Sequence, residues 1–192
     1  MVRQITSSDP VTYIPNFLDF AKRHSVYDTM RLHIDWERRP DAPRSEYWTN
    51  TFWRPYTYGR GAGIRTYEPK PMHPVIHEVN VLISRVTEAE MFEGCFLNMY
   101  QNSRDSLGWY ADDDPGIDHS RPIAVVTLGA ARPLRIRPIA DLKDIAEVMV
   151  EPGSLLLMHA GMQDTHHHCI PKMGHDVGPR ISMTYRGLKA DV

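Results

Sequence analysis

The run IAVVTLGAARPLRIRPIADLKDIAEVMVEPGSLLLMHA, residues 123–160, decides the fold class. IAVVTLG (123–129) is a continuous apolar run that is typical of a buried strand, and PLRIRPI (133–139) alternates apolar and basic residues as a half-exposed strand does. AEVMVEPGSLLLMHA (146–160) gives two further strands joined by a Pro-Gly turn. The run therefore predicts a core built mainly from sheet.

The flanking segments add two strands and two helices. CFLNMYQN (95–102) and RISMTYRGL (180–188) have strand composition. Residues 15–33 and 74–92 have apolar residues at helical spacing, with Val75, Val79, Ile83 and Val86 on one face of the second helix. We therefore predict two helices packed on a mainly antiparallel β-sandwich.

Composition places the chain among ordinary globular proteins. Its 192 residues suit one domain, and 42% are hydrophobic and 24% charged. We expect a soluble, intracellular protein, in the cytoplasm or in a eukaryotic nucleus, because MVRQITSSDP has no signal-peptide core and Cys95 and Cys169 make no disulfide framework. A net charge of −2 argues against a polyanion binder over its whole surface, so nucleic acid would need a local basic patch.

Two segments carry residues suited to metal and carboxylate chemistry. Arg180 and Arg186 are six apart on a predicted strand, so both guanidinium groups face one side and can grip a dicarboxylate. His168 precedes this strand. Non-haem iron sites use two histidines and one carboxylate, commonly with a His-x-Asp pair. The other segment, LNMYQNSRDSLGWYADDDPG (97–116), offers Asp112, but Tyr110 stands where that histidine is expected.

The ordered set of segments resembles the AlkB family of Fe(II)/2-oxoglutarate-dependent dioxygenases, particularly its animal DNA- and RNA-repair demethylases. The similar segments are PYTYGRG, LNMYQNSRDSLGWYADDDPG, RPIAVVTLGAARPLRIRP, GSLLLM and HCIPK…GPRISMTYR, between about Pro55 and Leu188. The resemblance implies an α+β double-stranded β-helix, a jelly-roll or cupin-like antiparallel sandwich, with N-terminal supporting helices. It implies one domain over residues 1–192: an extension and helix at 1–46, a nucleotide-recognition lid at 47–67 and the β-sandwich core at 95–188.

The resemblance also implies the ligands and their residues. Fe(II) would bind Asp112 and His168, with Tyr110 in the third position, while 2-oxoglutarate would be held by Arg180, Arg186, Asn98 and Tyr100. The substrate would contact Asp113 and the aromatic and basic residues Trp53, Tyr56, Tyr58 and Arg60. Ser182 stands where the family usually has an asparagine. The implied reaction is oxidative demethylation of N-alkylated bases in DNA or RNA, with O2 as oxidant, by a monomer.

Tyr110 leaves three interpretations open. It could bind iron as a phenolate, because a bound cation favours ionisation of its ligands. It could point away, leaving a two-ligand site or one completed by His166 or His119. It could also be an inactivating substitution, which favours a catalytically impaired nucleic-acid-binding protein over an enzyme. A same-fold oxygenase acting on a protein or a small molecule is a further alternative.

Overall fold

The structure is a computed structural model that describes residues 2–40, 42–59 and 64–190. The helices are α1 (Phe20–His33), α2 (Pro74–Thr87) and the short α3 (Met162–Thr165). The strands, in chain order, are β1 (Val2–Gln4), β2 (Val11–Ile14), β3 (Ser45–Asn50), β4 (Tyr56–Tyr58), β5 (Arg65–Tyr67), β6 (Gly94–Tyr100), β7 (Leu107–Tyr110), β8 (Ile123–Gly129), β9 (Arg132–Pro138), β10 (Ile145–Val150), β11 (Leu155–Met158), β12 (His166–Ile170) and β13 (Arg180–Arg186).

Two sheets stack face to face across the core. In the larger sheet the strands run in the order β2-β11-β8-β13-β6-β3, and in the smaller one β1-β10-β9-β12-β7. Their pairings are antiparallel except between β1 and β10. β4 and β5 form a separate antiparallel hairpin. The predicted α+β jelly-roll sandwich is thereby confirmed.

The two longer helices differ from prediction at their ends. α1 begins at Phe20, not near residue 15, because the Asp19 side chain caps it by accepting a hydrogen bond from the Lys22 N–H at 2.8 Å. α2 ends at Thr87, since Glu88 adopts a left-handed conformation with φ 52°. Its buried face includes Ile76 rather than the predicted Val86, which is exposed.

The sandwich recruits more of the chain than residues 95–188. β1 joins the smaller sheet, and β2 and β3 join the larger one, so the N-terminal part is structural rather than an appendage. β3 pairs along its length with β6, and Trp48 is only 2% exposed. The predicted lid over 47–67 was therefore too wide, because its first residues belong to a buried strand; the hairpin of β4 and β5 is the part outside the sandwich.

An ion-pair cluster holds the N-terminal strand in place. Arg3 donates to both oxygens of Asp9, at 2.8 and 2.7 Å, and to Asp144 at 2.9 Å. The hydrogen bonds from Arg3 lower the pKa of Asp9 to about 2, although burial opposes the shift.

Across residues 2–40, 42–59 and 64–190, no helix has the length and apolarity needed to cross a membrane.

Candidate active site

Strand pairing brings His168 and Tyr110 together between the two sheets. His168 on β12 is the direct cross-strand partner of Tyr110 on β7, and their ring centroids are 4.2 Å apart. Asp112 follows β7 by two residues, and its backbone N–H donates to Gln163 Oε1 at 2.9 Å, which fixes the chain there. As a result, His168 Nε2 lies 3.9 Å from Asp112 Oδ2.

Both groups are buried, and each has atoms available for a ligand. Asp112 Oδ2 and the two ring nitrogens of His168 have no hydrogen-bond partner, while Asp112 Oδ1 accepts from Arg186 Nη2 at 2.6 Å. Burial lowers the pKa of His168 to about 4, against the opposing charge of Asp112, so the imidazole is neutral near pH 7. A neutral imidazole beside a carboxyl group fits two ligands of a divalent metal such as Fe(II).

Tyr110 lies inside this site. One small cavity is lined by Tyr110, Asp112 and Arg186, and a second by Tyr110, His168 and Arg180, so Tyr110 borders both. The alternative in which Tyr110 points away is therefore wrong. Burial raises the pKa of Tyr110 well above 10, and Asp112 adds to the shift, so the phenol is neutral unless a cation compensates.

The histidines considered as replacement ligands have other partners. His119 Nδ1 is 2.9 Å from Asp164 Oδ1, and His166 Nδ1 is 2.8 Å from Thr165 Oγ1. Within the described ranges, no group of three or more His, Cys, Asp or Glu side chains is placed to hold a metal ion. Tyr110, whose ring lies against that of His168, is therefore the candidate for a third protein ligand at this site.

Arg180 and Arg186 both point into the core from β13. Arg180 is 1% exposed, and its Nη2 donates to Thr127 Oγ1 at 3.1 Å, yet its Nε and Nη1 have no partner. Burial without a facing carboxylate lowers the pKa of Arg180. Arg186 binds Asp112 but likewise keeps Nε and Nη1 without a partner.

Buried cations with unused donors are costly unless an anion joins them. The strand register sets Arg180 opposite Tyr100, and Ser182 opposite Asn98, so the other two predicted co-substrate residues lie beside the guanidinium groups. Asn98, Tyr100 and Arg180 line one cavity with His168. The donor set fits a dicarboxylate placed next to the Asp112–His168 pair.

An open cavity of 590 Å³ lies over this buried site. Tyr56, Tyr58 and Asp113 line it, as predicted for substrate contacts, together with Trp109 and Tyr110. Its volume is in the range of small-molecule pockets, so a single base fits within it.

The other two predicted substrate residues are not placed at the cavity. Trp53 is 61% exposed on the turn before β4, in a left-handed conformation with φ 55°, and is not among the lining residues. Arg60 lies outside the described residues. Neither position adds to the evidence for a base-recognition lid.

The three arginines of strand β9 have different roles. Arg132 is fully buried and donates to the carbonyl oxygens of Asn102, Asp105 and Pro171, so it is structural. Arg135 pairs with Glu147 at 2.7 Å. Arg137 stacks over the Trp109 ring at 4.1 Å, beside the open cavity, and its Nε has no partner.

Arg44 and Glu46 were missed from the sequence. Glu46 lies on β3 and Arg44 directly precedes that strand, with their charged groups 2.6 Å apart, and Arg44 lines a cavity with Asn98 and Tyr110. The available signal was the spacing: two charged residues two positions apart on a strand face the same side, and here that side is buried.

Comparison with known proteins agrees with this geometry. The sequence model described as the 2OG-Fe(II) oxygenase superfamily matches residues 10–186. Alpha-ketoglutarate-dependent dioxygenase alkB homolog 3 of Bos taurus is 30% identical over 97% of this chain and 68% of its own length. DNA oxidative demethylase ALKBH2 of Bos taurus is 30% identical over 64% of this chain and 46% of its own length. The solved structure of OsALKBH1 shares the fold, with a TM-score of 0.68 at 16% identity, over 95% of this chain and all of that one.

Proposed function

The chain belongs to the AlkB family within the 2OG-Fe(II) oxygenase superfamily, which makes it a 2-oxoglutarate-dependent dioxygenase, and we propose that it oxidatively demethylates N-alkylated bases in nucleic acid. One observation carries the proposal. A cavity large enough for one base shares its lining residues Tyr56, Tyr58 and Tyr110 with the small buried cavity that Asp112 and Arg186 line, and Asp112 lies 3.9 Å from His168.

Asp112 and His168 would hold the iron, with Tyr110 as the candidate third ligand. Iron, when bound, couples the decarboxylation of 2-oxoglutarate by O2 to oxidation of a carbon on the substrate. The protein contributes by position and charge. Arg180 and Arg186 neutralise and orient the carboxylates of the co-substrate, which uses the donors that have no protein partner.

Asn98 and Tyr100 complete the co-substrate site by hydrogen bonding. The pocket is closed to bulk water on the side of the larger sheet, because β6 and β13 are buried along their whole length. A dry site of this kind strengthens the interaction between guanidinium and carboxylate. The alkylated carbon must reach the metal through the open cavity, so the base has to leave its helical stack.

The rings of Tyr56 and Tyr58 flank that cavity and are suited to stack on the base, with Asp113 at its edge. The name of a similar protein, DNA oxidative demethylase ALKBH2, supports a nucleic-acid substrate. Whether the substrate is DNA or RNA is decided by comparing methylated DNA and RNA oligonucleotides in the assay described below.

A second function is favoured by Tyr110 alone. Because burial keeps its phenol neutral, the site offers Fe(II) two good ligands and one weak one. A chain that keeps the fold and the cavity but holds iron weakly would act as a nucleic-acid-binding protein without turnover.

The test is formaldehyde and succinate release from a panel of oligonucleotides. Single-stranded DNA and RNA, each with one N-methylated base, are incubated with the protein, Fe(II), 2-oxoglutarate and O2, with unmethylated oligonucleotides as controls. The proposal expects formaldehyde in step with succinate from at least one methylated oligonucleotide. Tight binding of the oligonucleotides by iron-loaded protein without formaldehyde would favour the binding protein instead.

A further inference from the structure

Arg44 and Glu46 form a buried ion pair that the reaction described above does not use. Arg44 Nη2 lies 2.6 Å from Glu46 Oε1, and the side chains are 3% and 0% exposed. Burying two charges carries a desolvation penalty, so a pair like this one is weak evidence for stability by itself. Its other contacts indicate a different role.

On its inner side the pair fixes Asn98. Arg44 Nε donates to Asn98 Oδ1 at 2.6 Å. Asn98 lines both of the small cavities that Tyr110 also lines. Because Arg44 takes the amide oxygen, the amide NH2 group is the end left to face a ligand, and it can only donate. Arg44 therefore orients Asn98 to bind a carboxylate rather than to repel one.

On its outer side the pair fixes the β4–β5 hairpin. Arg44 Nη2 donates to the Tyr58 hydroxyl at 2.8 Å, and that hydroxyl donates to Glu46 Oε1 at 2.7 Å. The hydroxyl of Tyr67 donates to the other oxygen of Glu46. The rings of Tyr58 and Tyr67 stack at 5.7 Å, so both strands of the hairpin are tied to one ion pair.

We propose that Arg44 is a positioning residue that couples the co-substrate site to the base-recognition hairpin. This rests on the proposed function, since it assigns 2-oxoglutarate to Asn98 and the base to Tyr58. A co-substrate carboxylate that binds the Asn98 amide restrains Arg44, and Arg44 in turn restrains the Tyr58 hydroxyl. The effect is reciprocal: whatever 2-oxoglutarate does to the affinity for nucleic acid, nucleic acid does to the affinity for 2-oxoglutarate.

The test measures the Kd of a methylated oligonucleotide by fluorescence anisotropy, with Mn(II) and without O2, in the presence and absence of 2-oxoglutarate. In the parent chain we expect 2-oxoglutarate to lower that Kd by about fivefold or more. Arg44→Lys keeps a charge for Glu46 but cannot donate to Asn98 and Tyr58 together, so the ratio of the two Kd values should fall to near one.

Tyr58→Phe keeps the ring and the ion pair but breaks the link to the hairpin, so it should also remove the coupling. It keeps the test valid where Arg44→Lys fails to fold. Tyr47→Phe is the matched control, because its hydroxyl donates to the Pro71 carbonyl outside this network, and it should keep the coupling.

Three results would count against the inference. A parent chain that binds both ligands independently, or a coupling that survives Tyr58→Phe and Arg44→Lys, overturns it and leaves the proposed function intact. A parent chain that binds no oligonucleotide under either condition contradicts the proposed function itself, and the inference falls with it.

Discussion

Replacing Arg180 with methionine should stabilise the ligand-free protein and abolish its response to 2-oxoglutarate. Arg180 is a buried cation whose Nε and Nη1 have no partner and whose Nη2 donates to Thr127. Arg132 is the matched control. It is also fully buried beside the Tyr100 ring, at 5.6 Å against 5.1 Å for Arg180, but it donates to three carbonyl oxygens in two loops.

The two substitutions should change the free energy of unfolding in opposite directions. A poorly satisfied buried charge carries a desolvation penalty that an apolar side chain of similar volume does not, so we expect Arg180→Met to be stabilised, by about the 1–4 kcal/mol found when buried ion pairs are replaced by apolar residues. Arg132→Met leaves buried carbonyl oxygens without donors, at a cost of about 1–3 kcal/mol for each. We therefore expect Arg132→Met to be destabilised by at least about 2 kcal/mol.

Urea denaturation with and without ligand measures both effects. With Mn(II) and 2-oxoglutarate at 100 times its Kd, the parent chain should gain about 2.7 kcal/mol, and Arg180→Met should gain none from 2-oxoglutarate. Arg132→Met should be less stable than the parent chain without ligand, but 2-oxoglutarate should raise its free energy of unfolding by the same amount as in the parent chain. If Arg180→Met is destabilised as strongly as Arg132→Met, or still responds to 2-oxoglutarate, then Arg180 is a structural cation and the co-substrate lies elsewhere.

Three further predictions concern the metal, the nucleic acid and the pH. His168→Ala should lose retention of Mn(II) in equilibrium dialysis, while His159→Ala, an exposed histidine, should retain it; retention by both would remove His168 from the site. Arg137→Gln should weaken oligonucleotide binding and reduce its salt dependence by about one counterion. Arg135→Gln, which breaks an existing ion pair, should change neither. Equal effects of the two substitutions would mean that only the net charge matters and that Arg137 makes no specific contact. Because the folded-state pKa of Asp9 is depressed to about 2, the stabilisation from its ionised carboxylate is present above about pH 4 and is lost as the pH falls towards 2. Asp9→Asn should therefore make the free energy of unfolding depend less on pH between about pH 4 and 2. The same pH dependence in Asp9→Asn and the parent chain would contradict this.

Local periodicity predicted those parts of the site that depend on one strand. Arg180 and Arg186 lie on the same face because their even spacing holds on any strand, and the two predicted helices are present with shifted ends. β3 was misjudged because its burial comes from pairing with β6, for example Tyr47 opposite Leu97, which is a contact between distant segments. Arg44 was missed for the same reason, since its partner Asn98 is 54 positions away.

The orientation of Tyr110 also could not be read from the sequence. Whether the last side chain of a short strand such as β7 faces the core depends on its register with the opposite strand, and here that register pairs Tyr110 with His168. The structure places the phenol in the site, and this makes its chemistry the central question for function.

Succinate production by the chain as it stands and by its Tyr110→His variant is the measurement that tests this account most directly. Both proteins are assayed with the same Fe(II), 2-oxoglutarate and methylated oligonucleotide, and bound iron is determined in parallel. Neutral imidazole suits Fe(II), whereas the buried Tyr110 is a weak ligand as a neutral phenol and, once ionised, a phenolate that favours Fe(III), so we predict that Tyr110→His binds Fe(II) more tightly and forms succinate faster than the parent chain. Inactivity of both proteins with iron and 2-oxoglutarate bound would contradict the proposed demethylation.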